Sequence, residues 1–291
     1  MKNRFMKRFR FECWHVAYRS HIQNIEQNKA SFIIIPNTFR YWAADPFIMF
    51  YDNKYYVFAE LYDRLRLKGR IGYCILSDNG RLLSGWKIII SSKDHLSFPY
   101  LIKKGNKIIL MPESSKENQL RLYEPTSFPN IWRISTVLID GEKLVDSIFL
   151  NEELLLTYDN FSSPRKVILY KRQRNNEFRI LLKVDDINLR LRPAGKAFNS
   201  GGKLIVPLQN CFDEYGKSIL LTEIKYDDNN NILEIKNIYE ISKDTIKISN
   251  FNNLIIGIHT YNFDNIIEVI DIKTRKFNLL NLIGLALKLD K

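Results

Sequence analysis

The chain repeats itself. Apolar runs that read as β-strands end on polar, chemically capable side chains at intervals of 53, 46, 50 and 50 residues. The runs are KYYVFAE ending at Glu60, KIILMPE at Glu113, ELLLTYD at Asp159, KLIVPLQ at Gln209 and NLIIGIH at His259. A period near 50 residues in a strand-rich chain marks a repeat array, in which one unit cannot bury its apolar face alone and neighbours must stack to do so. A chain of 291 residues is long enough for one such array closed on itself.

The first two repeats overlay without a gap. FPYLIKKGNKIILMPE (98–113) falls on DPFIMFYDNKYYVFAE (45–60), so that Pro46 matches Pro99, Asn53 matches Asn106 and Glu60 matches Glu113. Each reads as a hairpin with turn residues between two strands. GRIGYCILS and WKIII complete the first unit, and QLRLYEPTS and WRISTVLI the second. A third unit follows from DSIFL, LLLTYD, KVILYKR and FRILLKV, and a fourth from RPAGKAF, KLIVPLQ, SILLTEIKY and ILEIKNIYEI. TIKISNF, NNLIIGIH, NIIEVIDIK and FNLLNLI are read as the fifth.

The expected fold is therefore all-β, a five-bladed β-propeller with four antiparallel strands per blade. The blades fall at about 45–90, 98–139, 146–184, 192–241 and 246–284 of a domain spanning 41–291, after an extension over 1–40. FECWHVAYR and SFIIIP in that extension are both candidates to close the ring. A β-sandwich or an open solenoid is the alternative, and the gapless overlay favours the propeller.

In a propeller the start of each first strand and the end of each second strand lie at one mouth of the central channel. This brings a first ring of Asp45, Asp146 and Arg192 together with a second of Glu60, Glu113, Asp159, Gln209 and His259. Acids crowded there shift one another's pKa values, as groups used for proton transfer do. Arg192 and His259 offer cations to a phosphate or carboxylate. Blade order gives an acidic side from blades one to three and a cationic, amide-bearing side from blades four and five. Two acids about a sugar bond are the apparatus of glycosidic chemistry. Trp42, Tyr41, Phe47, Tyr100, Tyr158, Tyr215 and Tyr261 stand near these acids in sequence, and most are expected to fill the core.

The net charge of +12 suits an anionic substrate or an anionic membrane surface. No nucleic-acid-binding motif is present, so no nucleic-acid partner is expected. Cys13, Cys74 and Cys211 are too few and too scattered for a disulfide framework, which suggests a reducing compartment. The four histidines form no metal-ligand spacing. The basic start MKNRFMKRFRFECW lacks a long apolar stretch, so a cytoplasmic protein, peripheral at the inner face of a membrane, is the expectation.

WAADPF (42–47), MPES (111–114), RLYE (121–124), FPNIW (128–132), DSIF (146–149), RPAG (192–195), LQNCFDEYG (208–216) and HTYN (259–262) together resemble one family. It is the N-terminal propeller-like domain of glucosamine inositolphosphorylceramide transferases, with its stand-alone bacterial relatives. The resemblance implies a glycosyltransferase of surface-polysaccharide (capsule or O-antigen) biosynthesis. Its partners would be a phosphate-activated sugar donor and a glycan or lipid-linked glycan acceptor. A divalent cation would enter, if at all, with a diphosphate donor. Asp45, Glu113 and Asp146 are the catalytic candidates. Glu60, Asp159, Arg192, Gln209, His259, Tyr215 and Trp42 are the substrate-binding ones.

More distantly the chain is similar to five-bladed glycosidases of the arabinanase and invertase type. In these an Asp opens blade one, another opens blade three and a Glu further round is the acid. Asp45 and Asp146 match the first two placements, but blade four offers Arg192 and Gln209 with no Glu. A glycoside hydrolase and a non-catalytic glycan-binding propeller are therefore the alternatives.

Overall fold

Two-residue turns set the hairpins. Asp52 and Asn53 take φ of 50° and 55°, the left-handed pair that matches strand twist, and Lys54 pairs back on Tyr51. Apolar residues then occupy most positions of the flanking strands, as sheets buried on both faces require. The computed structural model describes residues 10–22, 29–227 and 232–289. It is a five-bladed β-propeller of four antiparallel strands per blade.

Blade one is β3 (Tyr41–Tyr51), β4 (Lys54–Asp63), β5 (Ile71–Ser77) and β6 (Leu82–Ile90). Blade two is β7 (Ser97–Lys104), β8 (Lys107–Glu113), β9 (Gln119–Ser127) and β10 (Ile131–Asp140). Blade three is β11 (Val145–Phe149), β12 (Leu154–Asp159), β13 (Lys166–Arg172) and β14 (Phe178–Asp185). In blade four the first strand is split into β15 (Arg192–Pro193) and β16 (Phe198–Ser200), both paired with β17 (Lys203–Asn210), ahead of β18 (Ser218–Tyr226) and β19 (Ile232–Ile241). The split follows the RPAG motif. A Cβ on Gly195 would stand 2.0 Å from the carbonyl oxygen of Tyr261, so only glycine lets blade five approach here.

Blade five is assembled from both ends of the chain. Its inner strands are β20 (Tyr261–Asp264) and β21 (Ile267–Phe277), and its outer strands are the N-terminal β1 (Arg10–Ser20) and β2 (Ile33–Ile34). Both candidate closing segments are thus used, in adjacent places. The 246–284 reading of this blade is corrected. TIKISNF meets the blade through a single parallel bridge, Phe32 to Ile248, and NNLIIGIH through a bridge of Gly257 to Lys273, so neither is a blade strand. FNLLNLI passes into a helix, α1 (Leu279–Leu289). Its Leu-rich sequence has a single β-branched residue, Ile283, and leucine favours helix over strand.

The core lies between blades. One apolar cluster runs from Phe47 and Phe58 of blade one through Leu110 and Ile148 to Val206 of blade four. Two more seal blade five, against blade one through Val16, Val57 and Val269, and against blade four through Ile219, Tyr261 and Ile270.

Removal of residues 1–22 strips β1 from β21 along eleven registered pairs, from Arg10–Phe277 to Ser20–Ile267. The expected outcome is loss of the cooperative thermal transition in near-UV circular dichroism. A truncated chain that melts like the full one would show that the ring is closed by other means.

Candidate active site

Three blades begin with the same irregularity. Asp45, Phe98 and Asp146 have φ of 51°, 43° and 46°, each inside a break of register between the first and second strands. A bulge with a left-handed residue re-aims that side chain, and its strain persists only where the surroundings over-determine it. In blades one and three the re-aimed residue is an aspartate, turned into the channel mouth. In blade two it is buried Phe98, and that blade contributes Glu113 from its second strand instead.

These residues line a cavity of about 380 Å³ that contains Asp45, Glu60, Glu113, Asp146, Arg192 and His259, with Trp42 and Tyr215. Eight of the ten residues expected at the site therefore converge. Gln209 stands behind the wall: wholly buried, it donates from Nε2 to Asp146 Oδ2 (3.0 Å) and to the Pro193 carbonyl (2.9 Å). Asp159 lies elsewhere. It accepts from the backbone N–H groups of Phe161 (2.9 Å) and Ser162 (3.1 Å) and lines a separate cavity with Lys143 and Phe161. The physical reason is register. The residue facing the head of the first strand is Tyr158, paired with Val145, as Glu60 is with Ala44 and Glu113 with Ser97. One residue further along a strand points to the opposite face.

His259 reaches the site from an unexpected position. It stands at the head of the first strand of blade five, while the matching second-strand residue is Asp271, wholly buried on β21. Asp271 Oδ1 accepts from the N–H groups of His259 and Thr260, both at 3.0 Å. Its Oδ2 lies 2.6 Å from His259 Nδ1 and accepts from the backbone N–H of Asp45 at 2.9 Å. His259 Nε2 in turn faces Asp45 Oδ1 at 3.3 Å, so the imidazole is held between two carboxylates. Burial works against its charge, but Asp271 and Asp45 outweigh burial and raise His259 above its ordinary value. Asp45 also accepts from Thr260 Oγ1 and from the Phe98 N–H, each at 3.1 Å.

The cations pair with the acids one by one, which replaces the expected division into acidic and cationic sides. Arg192 donates from Nε to Asp146 Oδ2, and the neighbouring Asp146 holds the guanidinium charged despite burial. The remaining carboxyls are pushed upward. Burial, with the charge of Asp146 next, raises Glu113 to about 8. Burial, with Asp45 and Glu113 behind it, puts Glu60 well above the carboxylate range. Asp45 rises to about 6, mainly by burial and against the pull of His259.

The cavity wall carries further residues that the repeat did not expose. Trp14 of β1 stacks on His259 with ring centroids 3.9 Å apart. Gly216, with φ of +64°, permits this, since a Cβ there would stand 2.7 Å from the Trp14 ring. Lys273, wholly buried, donates to the Tyr215 carbonyl and to Glu214 Oε1 (3.1 Å), and so fixes the loop that brings Tyr215 to the rim. Tyr62 stacks on Trp42 at 4.5 Å. His95 Nδ1 accepts from the Gly69 N–H at 2.9 Å, and burial lowers His95 to about 4, so its Nε2 carries the proton and faces Glu60 Oε1 at 3.5 Å. Of the expected aromatics, Phe47, Tyr100, Tyr158 and Tyr261 fill the core.

Asp45, His259 and Asp271 also bring their ligand atoms within 4.8 Å of one another, a spacing a metal ion could bridge. Both imidazole nitrogens, however, face carboxylates. That is the arrangement of a clamped imidazolium, and a cation would have to displace its proton.

Residues 28–271 match the family described as glucosamine inositolphosphorylceramide transferase 1, N-terminal. The chain is similar to glucosamine inositolphosphorylceramide transferase 1 of Oryza sativa subsp. indica, with 30% identity over 209 residues, covering 63% of this chain and 26% of the relative. The Arabidopsis thaliana protein of the same name shows 29% identity over 194 residues, covering 62% and 25%. The chain thus spans about a quarter of the length of these curated relatives. Among solved structures, a β-xylosidase superposes with a TM-score of 0.54 at 14% identity, covering 79% of this chain and 86% of the other. A glycoside-hydrolase-like protein from Parabacteroides distasonis gives 0.50 at 11% identity, covering 81% and 88%. At these identities the likeness is one of fold. The sequence match over most of the chain carries more: this propeller belongs to the glucosamine inositolphosphorylceramide transferase N-terminal family.

Proposed function

We propose that the channel mouth transfers a sugar from a phosphate-activated donor to a glycan acceptor, in the assembly of a bacterial surface polysaccharide. The observation that carries this reading is the convergence, in one open cavity, of two aspartates, one paired with an arginine and one with a histidine, and two glutamates whose carboxyls burial pushes upward. Family membership supports the reaction class.

Asp45 is the general base. The clamp from His259 and the Phe98 N–H fixes its two oxygens, and a value of about 6 leaves it ionised but basic enough to take a proton from an acceptor hydroxyl. Glu113, protonated at pH 7, donates to the departing oxygen. Asp146, paired with Arg192 and accepting from Gln209, faces the positive charge that develops on the sugar ring. Trp42 Nε1, a buried donor on the cavity wall, has no hydrogen-bond partner among the described residues, and the acceptor Glu60 Oε1 has nothing nearer than the 3.5 Å approach of His95 Nε2. A donor and an acceptor of this kind suit sugar hydroxyls, because buried polar groups seek partners.

Hydrolysis is the second reading, favoured by one observation. A protonated carboxyl such as Glu113 is what a poor leaving group needs, whereas a diphosphate leaves readily. Release of reducing sugar from a glycan with no donor present would establish hydrolysis. Donor-dependent growth of a glycan acceptor, followed by mass spectrometry, would establish transfer.

Asp45→Asn and Glu113→Gln are each expected to lower turnover by about 10²–10⁴ with folding intact. Wild-type turnover in both variants would refute the assignment.

Glu113 also sets a pH dependence of stability. The folded state keeps its proton from about 4.5, where the unfolded chain releases it, up to about 8. The folded state therefore binds more protons across this window, and stability falls as pH rises through it. Thermal melting from pH 4 to 9 is expected to show this decline in the wild type and a flatter profile in Glu113→Gln. Parallel profiles would mean that Glu113 is not held protonated.

A further inference from the structure

Helix α1 is turned the wrong way round for a soluble protein. The residues it buries are Asn281 and Gly284, a polar one and one without a side chain. A Cβ on Gly284 would stand 2.6 Å from the Leu65 carbonyl oxygen and 2.8 Å from that of Arg64, so the helix backbone rests on the end of β4. At 100° per residue, Leu279, Ile283, Ala286 and Leu287 share the opposite face. Leu279, Ile283 and Leu287 are 60%, 40% and 53% exposed. A surface helix ordinarily lays its apolar stripe on the core and shows charge to solvent; here Asn281 points inward and Leu279, Ile283 and Leu287 outward, with Leu280 and Leu282 half-buried between.

The apolar face does not end with the helix. Phe277, two residues before it, is 53% exposed, and Phe39, whose carbonyl accepts from Arg64 Nη1 at 2.7 Å, is 81% exposed. Cations border it. Lys288 is exposed in the last turn of α1, one turn beyond Gly284 on the side of the helix away from the leucine stripe, and Arg66 is exposed one residue after the Leu65 carbonyl that meets Gly284. Lys276 stands beside Phe277. Arg10, the first residue of β1, pairs with Phe277. The chain as a whole carries +12.

The surface also adjoins the site, because Asn281 on the inward face of α1 lines the same cavity as Asp45, Glu113 and Asp146. Eleven residues are too few to cross a bilayer, and no helix among the described residues is long and apolar enough to do so. An apolar helix face bordered by Lys and Arg is instead the form that lies in the interface of an anionic membrane.

We propose that the outward face of α1, with Phe277 and Phe39, docks the propeller on an anionic lipid bilayer and sets the mouth of the catalytic cavity beside that surface. The occupant is lipid because both of its demands, apolar side chains to bury and surrounding positive charge, are met in one place. The positive charge argues against a second copy of this chain, which would bring like charge against like.

The docking inference is independent of the roles given to Asp45 and Glu113, and its test does not read turnover. Cosedimentation with sonicated vesicles of phosphatidylglycerol and phosphatidylethanolamine, compared with vesicles of phosphatidylcholine alone, measures docking. The expected result is at least tenfold stronger partitioning to the anionic vesicles, weakened by raising the salt from 0.05 to 0.5 M. The Leu279→Ser, Ile283→Ser, Leu287→Ser triple variant is expected to lose at least tenfold in partitioning while keeping the wild-type melting temperature. Arg66→Glu with Lys288→Glu, which leaves the apolar face intact, is expected to lose the preference for anionic lipid. Failure of the wild type to sediment with anionic vesicles would overturn the proposal, as would partitioning that the triple variant retains. A concentration-dependent dimer in analytical ultracentrifugation that the triple variant abolishes, without lipid partitioning, would overturn it in favour of self-association.

Discussion

The carboxylate of Asp271 joins the last blade to the first. It accepts from two backbone N–H groups of its own blade, from the backbone of Asp45 in blade one, and meets the imidazole of His259. A buried carboxylate is costly unless its lone pairs are filled, and here four donors surround it. The Asp45 backbone, left-handed and bulged, is held where its N–H reaches Asp271 and its side chain reaches His259 and Thr260. One ion-paired cluster thus closes the ring and aims the proposed base. Substitutions at Asp271 would be felt in stability and chemistry together, because the two functions share the same atoms.

Crowding acids into a channel raises a question of charge. The molecule answers it in two ways. Asp146 takes Arg192, and Asp45 and Asp271 share His259, so these charges are compensated by contact. Glu60 and Glu113 lack a cation of equal strength and keep their protons instead. The mouth is then close to neutral while holding both proton donors and proton acceptors. A cavity of this kind can handle sugar hydroxyls without strongly repelling a phosphorylated donor, and it does so without the separate cationic wall that blade order alone implies.

The sequence was informative where the repeat is local. Blades one to three follow its strands closely, and the common bulge places Asp45 and Asp146 as the motif suggests. Asp159 was misplaced because the last residue of an apolar run does not define register; the cross-strand partner does, and Tyr158 holds that place. His259 keeps the spacing of the second-strand endings by coincidence, while the equivalent residue is Asp271 within IIEVIDIK. A signal for Asp271 and Lys273 was present, since charges two apart in an otherwise apolar strand fall on one face and need partners. Trp14 had no such signal. It comes from a strand whose pairing spans most of the chain, and no local pattern shows which edge that strand will seek.

Strand β21 ties these features into one device. Asp271, Lys273 and Arg275 alternate along one of its faces. The first holds His259 and Asp45, the second holds the Tyr215 loop, and the third meets Glu214 and Glu12 at the rim. Two residues after Phe277 the same chain enters α1, whose Asn281 returns to the cavity wall and whose leucines face away from it. The closing strand β1 runs alongside, starting opposite Phe277 and placing Trp14 on His259. The last blade therefore differs from the other four in what it does. They supply acids, and in blade four Arg192, to a channel, whereas the blade that closes the ring fixes the geometry of those acids and carries the α-helix beside them. A force applied at α1 would reach Asp45 through β21 and a few hydrogen bonds, so contact of that helix with a surface is physically positioned to alter the site it borders.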